Sequence, residues 1–272
     1  MSSSTRPKRS LGQNFLIDRG AAARIVAELS PGPHDAVLEI GPGRGALTAA
    51  LIQAAGRVAA VELDHELARR LSERFSEDGL VVLERDILEI RLEHVLAALD
   101  RPTSDRLVVA GNLPYNISKP VAMKLVLEHA RTDRAVLMFQ REVAARLTAA
   151  PGSRAYGPLT VLCGQAYRIE ALFDLRPTAF RPPPRVASSV TRWQRRAGGA
   201  LDIGLDAPLR ACLAAAFARR RQTLRNNLRA VLGSAAEAEE LLTAAALDGD
   251  SRAEAVPPEG FVRLAQCWRE RF

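Results

Sequence analysis

A series of short apolar runs at near-regular spacing constrains this chain more than any other feature. They lie at residues 36–40, 58–62, 80–83, 107–110 and 134–139, with stretches of helical pattern at 46–55, 65–75 and 118–129 among them. Runs this short and this uniformly apolar predict strands buried on both faces. Strands alternating with helices predict an α/β fold, a doubly wound, mostly parallel Rossmann-like sheet. Asp18 is placed to cap a preceding helix through Leu29, and Ser30-Pro31-Gly32-Pro33 to stop it. In such a sheet, ligands bind beyond the C-terminal ends of the strands, near the point where strand order reverses.

Those strand ends carry the chemistry. After the first run comes Glu39-Ile40-Gly41-Pro42-Gly43-Arg44-Gly45, whose glycines permit a tight turn and close approach to a ligand. With Ala46 the turn formally satisfies a dinucleotide fingerprint. The early Glu39 and the third alternate glycine fit S-adenosylmethionine better, a cofactor with no phosphate to seat on a helix N-terminus. Glu62, ending the second run, is positioned for two ribose hydroxyls, and Leu63 follows it. Asp86-Ile87 follows the third run, and Asp86 suits an adenine amine. Asn112-Leu113-Pro114-Tyr115 follows the fourth. There the Asn112 amide oxygen and a carbonyl of the Leu113-Pro114 turn can accept both hydrogens of an exocyclic amine, while Tyr115 stacks on the base. Phe180, before Pro182-Pro183-Pro184, is expected as the second plate of that aromatic clamp. Each motif also has a plain structural reading: a tight turn, an N-cap at Asp86, a core tyrosine, a phenylalanine packed on a proline-rich loop. Their recurrence at successive strand ends favours methyl transfer to a nucleobase amine.

Residues 1–195 are expected to form the methyltransferase domain, with 1–10 a flexible basic tail. A Gly198-Gly199 linker then leads to a helical domain over 196–272 of three or four helices. The chain carries a net charge of +7, which favours a polyanionic partner. Lys occurs only at 8, 119 and 124, an Arg bias that a high-GC genome explains without function. The run from Arg219 to Arg229 reads as a basic helix with Leu224 and Leu228 on one face, extended by Leu213 or Phe217. Arg220, Arg221 and Arg225 are its candidate RNA-phosphate contacts. Cys163, Cys212 and Cys267 read as free thiols, and neither they nor His34, His65, His94 and His129 have metal-ligand spacing, so no metal is expected. No apolar run is long enough to span a membrane and no secretory signal is evident, so a cytoplasmic protein is expected.

These motifs resemble the ribosomal RNA adenine dimethyltransferase family over nearly the whole chain. Leu11-Gly12-Gln13-Asn14-Phe15-Leu16 is similar to its N-terminal signature, and residues 39–48, 61–64, Asp86, 112–118, 138–144 and 180–190 follow in family order. Leu113 resembles the small-subunit branch, where the macrolide-resistance enzymes that act on large-subunit RNA tend to carry Ile. Residues 221–228 point the same way, although Gln222 departs from the commoner Lys. The resemblance implies S-adenosylmethionine as cofactor, held by Gln13, Asn14, Leu16, Gly41, Gly43, Glu62, Leu63, Asp86, Ile87 and Asn112. It implies dimethylation of two adjacent adenosines in the terminal hairpin of small-subunit rRNA, free or in a precursor subunit, by a monomer. A resistance-type methylase, a DNA base methylase and a non-catalytic RNA-binding assembly factor are the alternatives. A nicotinamide oxidoreductase would leave the Asn112 motif and the basic C-terminal stretch unexplained.

Overall fold

The computed structural model describes residues 13–75, 77–197 and 204–271. The basic tail, Leu11-Gly12 and the Gly198-Gly199 linker lie outside them. The chain runs β1 (Phe15–Leu16), α1 (Arg19–Leu29), β2 (Ala36–Ile40), α2 (Thr48–Ala55), β3 (Val58–Glu62), α3 (His65–Arg74), β4 (Leu80–Glu84), α4 (Leu92–Ala98), β5 (Leu107–Asn112), α5 (Ser118–Leu127), β6 (Thr132–Gln140), α6 (Arg141–Leu147), α7 (Pro158–Ala166), β7 (Tyr167–Leu175), β8 (Phe180–Arg181) and β9 (Ser188–Arg195). Four helices close it: α8 (Asp206–Ala216), α9 (Leu224–Leu232), α10 (Ala235–Ala244) and α11 (Pro258–Arg271).

The chain divides into two compact units. The first comprises Met1–Ala144 and Glu170–Arg195, the second Ala145–Ile169 and Arg196–Phe272. Arg195 therefore marks only one of the crossings, and the expected boundary there misplaces 145–169. This segment holds α7, which packs on α8 and α11. Its buried Val161, Leu162, Cys163 and Ala166 need that apolar cover.

In the first unit the main sheet has the order β4-β3-β2-β5-β6-β9-β7. β4, β3, β2, β5 and β6 pair in parallel, and β9 pairs antiparallel to β6. Val37, Val58, Val108, Ala110, Val136 and Met138 form one face, packed with α1 and α2. The intervening Leu38, Ala59, Val109 and Leu137 are equally buried, so the sheet is covered on both faces, as a doubly wound sheet must be. Strand order reverses between β2 and β5, which places the glycine turn and the Asn112 motif side by side. Asp18 caps α1 by accepting from the Ala21 amide (2.9 Å). Helix α4 has no local start signal, and the sequence gives no hint of it. Its first amide, on Leu92, donates instead to Glu128 Oε2 at 2.7 Å, a cap supplied from 36 residues away.

The second unit overturns one expectation. Residues 219–223 are a turn rather than part of a helix, and Leu213 and Phe217 belong to the end of α8, so they do not extend the Leu224–Leu228 face. The cause is Asn227. Its buried amide donates to the carbonyls of Ala216 (2.8 Å) and Arg219 (3.1 Å) and accepts from the Arg219 amide (3.1 Å), tying off α8. Thr223 then caps α9 through the Asn226 amide. Asn227→Ala leaves these backbone groups without partners at a buried site. It should lower stability by about 2–3 kcal/mol, measured by urea unfolding.

Candidate active site

The site begins with the glycine turn. Gly41 and Gly43 adopt φ of +65° and +58°, a region that disfavours other residues. At Gly43 space forbids a side chain as well, since a Cβ would lie 2.8 Å from the Phe15 ring. The Gly43 amide donates to Glu62 Oε2 at 3.0 Å, and the Asp64 amide donates to Glu62 Oε1 at 2.9 Å. Glu62 thus fastens the turn after β2 to the end of β3. Asp64 caps α3 and accepts from Gln13 Nε2 at 3.2 Å, which anchors the N-terminal signature to the same network. Burial raises the Glu62 pKa, while the two amides oppose the rise.

Beneath the turn, Glu39 is 1% exposed and accepts from the Thr48 hydroxyl at 2.6 Å. Burial, opposed by that hydrogen bond and reinforced by the charge of Glu62, pushes its pKa up to about 8. Glu39 is therefore largely protonated at neutral pH and acts as a structural pin between β2 and α2.

A cleft of about 810 Å³, part of it open to solvent, lies along these strand ends. Gln13, Asn14, Gly41, Gly43 and Glu62 line it, as do Leu63, Asp86 and Ile87 and the whole motif Asn112, Leu113, Pro114 and Tyr115. Its lining of carboxylate, amide and apolar side chains around a glycine turn suits a nucleoside-bearing cofactor with a second group beside it. Asp86 Oδ1 accepts from the Leu88 amide (2.8 Å), which fixes the carboxylate with its second oxygen available to a ligand amine. Leu63 is 53% exposed and Ile87 is buried, which gives apolar contacts for a flat ring.

Asn112 ends β5, and its Nδ2 donates to the Asn14 carbonyl at 2.8 Å. The donor end of the amide is thereby used within the protein, and Oδ1 is left to accept. Tyr115 is joined to the Ser188 hydroxyl at 2.9 Å, which sets its ring against the start of β9. Burial raises the Tyr115 pKa, so the phenol stays neutral.

Two expected positions differ. Leu16 lines a small recess beside the cleft, together with Glu39, Gly43 and Arg44, rather than the cleft itself. Phe180 lines neither. It is 3% exposed, pairs across β8 with Leu16 of β1, and its side chain sits in the core cluster under α1. In this conformation it serves as the packed core residue of the plain reading and not as a base plate. Phe15, Arg85, Asn116 and Ile117 line the cleft without having been singled out. Each adjoins a recognised motif, so adjacency was the available signal. Ser188 was reachable only through the fold.

The arginines expected to meet RNA are engaged within the helical unit. Arg220 pairs with Glu254 at 2.8 Å and also donates to the Arg154 carbonyl. Arg225 pairs with Glu239 at 2.7 Å and with Asp250. Arg221 is exposed. Cys163 and Cys212 are buried, with pKa values raised by burial, and Cys267 is half-buried; none forms a disulfide. Among the described residues no group of three or more His, Cys, Asp or Glu is placed to hold a metal ion, and no helix is long and apolar enough to cross a membrane.

A mostly parallel sheet with an open cleft at its switch point, an acidic residue ending β3 and an amide–proline–tyrosine turn ending β5 define a methyltransferase of the kind that acts on an amino group of a base. The family model for ribosomal RNA adenine dimethylase matches residues 4–270, and the chain belongs to that family. It is 42% identical over 272 residues to a ribosomal RNA small subunit methyltransferase A of Acidobacterium capsulatum, covering 98% of this chain and 92% of the relative. The protein of that name from Magnetococcus marinus is 41% identical, at 95% and 91% coverage. Among solved structures, a dimethyladenosine transferase from Plasmodium falciparum shares the fold at a TM-score of 0.78 and 22% identity, over 92% of this chain and 95% of that one. The 23S rRNA methyltransferase ErmE has a TM-score of 0.69 at 27% identity, over 94% and 100%.

The buried acid yields a test. A folded pKa raised above the ordinary carboxyl value of 4.5 means that the native state binds the proton more tightly than the unfolded chain. The contribution of Glu39 to stability therefore falls as pH rises from 4.5 through about 8 and then levels off. Glu39→Gln keeps an acceptor for Thr48 and removes the ionisation. The variant should gain on wild type by on the order of a few kcal/mol between pH 5 and 8.5, read as melting temperature against pH.

Proposed function

We propose that this chain dimethylates N6 of two adjacent adenosines in the terminal hairpin of small-subunit rRNA, with S-adenosylmethionine as methyl donor. The observation that carries the reading is the Asn112 amide, held by the Asn14 carbonyl with its oxygen end left to accept beside Pro114 and Tyr115. The 42% identity to a small-subunit methyltransferase across 92% of that protein supports the choice of subunit. The family's cofactor matches the cleft in chemistry: Glu62 for ribose hydroxyls, Asp86 for the adenine amine, Leu63 and Ile87 for its faces. The side-chain-free turn at Gly41–Gly43 meets the methionyl end, with Gln13, Asn14 and the recess at Leu16 closing it. The reading takes the monomer as the acting form. A ribosomal substrate supports action in the cytoplasm, on rRNA or a precursor subunit.

Bound S-adenosylmethionine supplies an electrophilic methyl group and a neutral thioether leaving group. The protein supplies alignment. Adenine's exocyclic nitrogen is a poor nucleophile because its lone pair is delocalised into the ring. Asn112 Oδ1 and a carbonyl of the Leu113–Pro114 turn accept the two N–H groups and favour a pyramidal nitrogen. Pro114 brings no amide donor to compete. Tyr115, braced by Ser188, holds the base by stacking, worth about 1–3 kcal/mol. No general base is needed before attack, because the methylated ammonium sheds its proton to water. Positioning is then the main source of rate. The target must leave its stack to reach the cleft, which suits an adenosine in a hairpin loop. Arg221 of the helical unit, with Arg220 and Arg225 once released from their ion pairs, supplies phosphate contacts in this reading.

Transfer of labelled methyl to under-methylated small subunits, with large subunits in parallel and nucleoside analysis after, tests the reading. Dimethyladenosine is expected in small-subunit RNA alone; label in the large subunit only would overturn the choice of subunit. Asn112→Ala should reduce turnover at least a thousandfold with cofactor affinity changed only a few-fold by calorimetry. Wild-type turnover in that variant would overturn the role of the amide.

A further inference from the structure

The arginines of the catalytic unit are put to different uses. Arg134 and Arg192, both half-buried, are spent on structure: Arg134 pairs with Asp35 at 2.7 Å and caps the carbonyls of Leu29 and Ser30, and Arg192 pairs with Glu28. Arg141, Arg181 and Arg185 are exposed and have no ion pair or side-chain hydrogen bond among the described residues. The backbone places all three on segments that adjoin residues of the cleft or of its tyrosine brace. The Arg141 amide donates to the Ala187 carbonyl at 3.0 Å, one step beyond the Gln140–Ser188 pair of β6 and β9. Ser188 holds Tyr115. Arg185 lies two residues before Ala187. Arg181 pairs across β8 with Phe15, which lines the cleft. Asp174 of β7, an acid near the start of β9, is tied to the Ser189 hydroxyl at 2.5 Å.

Three guanidinium groups on segments around one cleft, each without an ion pair, gain nothing for the fold. They suit a planar, bidentate acceptor arriving from outside. We propose that Arg141, Arg181 and Arg185 form a phosphate-gripping rim that holds the RNA backbone on either side of the extruded adenosine. This rests on the reading of the cleft as an RNA adenine site and adds where on the catalytic unit the strand is held. Prolines 182–184 fix φ along the segment between Arg181 and Arg185, so both side chains are presented at little entropic cost. The rim works locally, flanking the base, whereas the helical unit's Arg220 and Arg225 must first give up internal partners.

The test is the salt dependence of binding to under-methylated small subunits. Arg141→Gln/Arg181→Gln/Arg185→Gln should lower affinity at least tenfold near 0.15 M salt. It should also flatten the slope of log K against log salt by about 2, three contacts at roughly 0.7 each for single-stranded backbone. Affinity for S-adenosylhomocysteine, by calorimetry, should stay within twofold and shows that the variant is folded. The control Arg106→Gln/Arg131→Gln removes charge at the opposite, N-terminal ends of the strands, before β5 and β6, and should leave the slope unchanged. An unchanged slope in the triple variant, with wild-type binding normal, overturns the rim alone. An equal loss in the control overturns it too, since net charge would then suffice. Failure of the wild-type protein to bind or methylate the subunits overturns the underlying RNA reading and the rim with it.

Discussion

The carboxylate of Glu62 is the constraint on which the rest of the site depends. Both of its oxygens accept backbone amides, one from the glycine turn after β2 and one from the start of α3. A turn with three residues at positive φ, Gly41, Gly43 and Gly45, has little intrinsic preference for one shape, and this carboxylate selects one. The selected shape leaves no space at Gly43 for more than a hydrogen, and the Phe15 ring fills what remains. Phe15 in turn is held by the β1–β8 pair, so the N-terminal signature, the glycine turn and the proline-rich segment are set by one another. Adding the Gln13–Asp64 and Asn112–Asn14 hydrogen bonds, the cleft is closed by contacts between segments distant in sequence. That is the pre-organisation expected where alignment supplies the rate.

Much of this was legible in the sequence, because the signals were local. The runs at 36–40 and 58–62 coincide with β2 and β3, and the Asp18 cap is where its side chain implied. Parallel strands buried on both faces read as unbroken apolar runs, which makes them hard to miss. The cleft gathers nearly every residue expected of it because chain order in a doubly wound fold already dictates that strand ends meet. What escaped was non-local. Helix α4 takes its cap from Glu128, Phe180 is turned inward by pairing with a strand 164 residues earlier, and the 219–223 turn is dictated by Asn227 reaching back to α8. A basic, leucine-spaced stretch has the periodicity of one helix until a buried amide interrupts it.

The two buried glutamates, Glu39 and Glu62, show how one residue type is put to two uses. Glu39, sealed from solvent and given a hydroxyl donor, behaves as a neutral pin. Glu62, held by two amides at the edge of the cleft, keeps capacity to accept from a ligand. The sequence places Glu39 before the glycine turn and Glu62 at the end of the next apolar run; their hydrogen-bond partners show what each does.

The discontinuity of the helical unit bears on how such a protein can be divided or synthesised. Its first segment runs from within α6 to the start of β7, and its second arrives only after β9 has closed the sheet. Removing everything after Arg195 would therefore not release a self-sufficient enzyme. It would strip α8 and α11 from α7 and leave a sticky apolar helix in the middle of the remaining chain. During synthesis α7 waits for the last quarter of the polypeptide before its apolar face is covered.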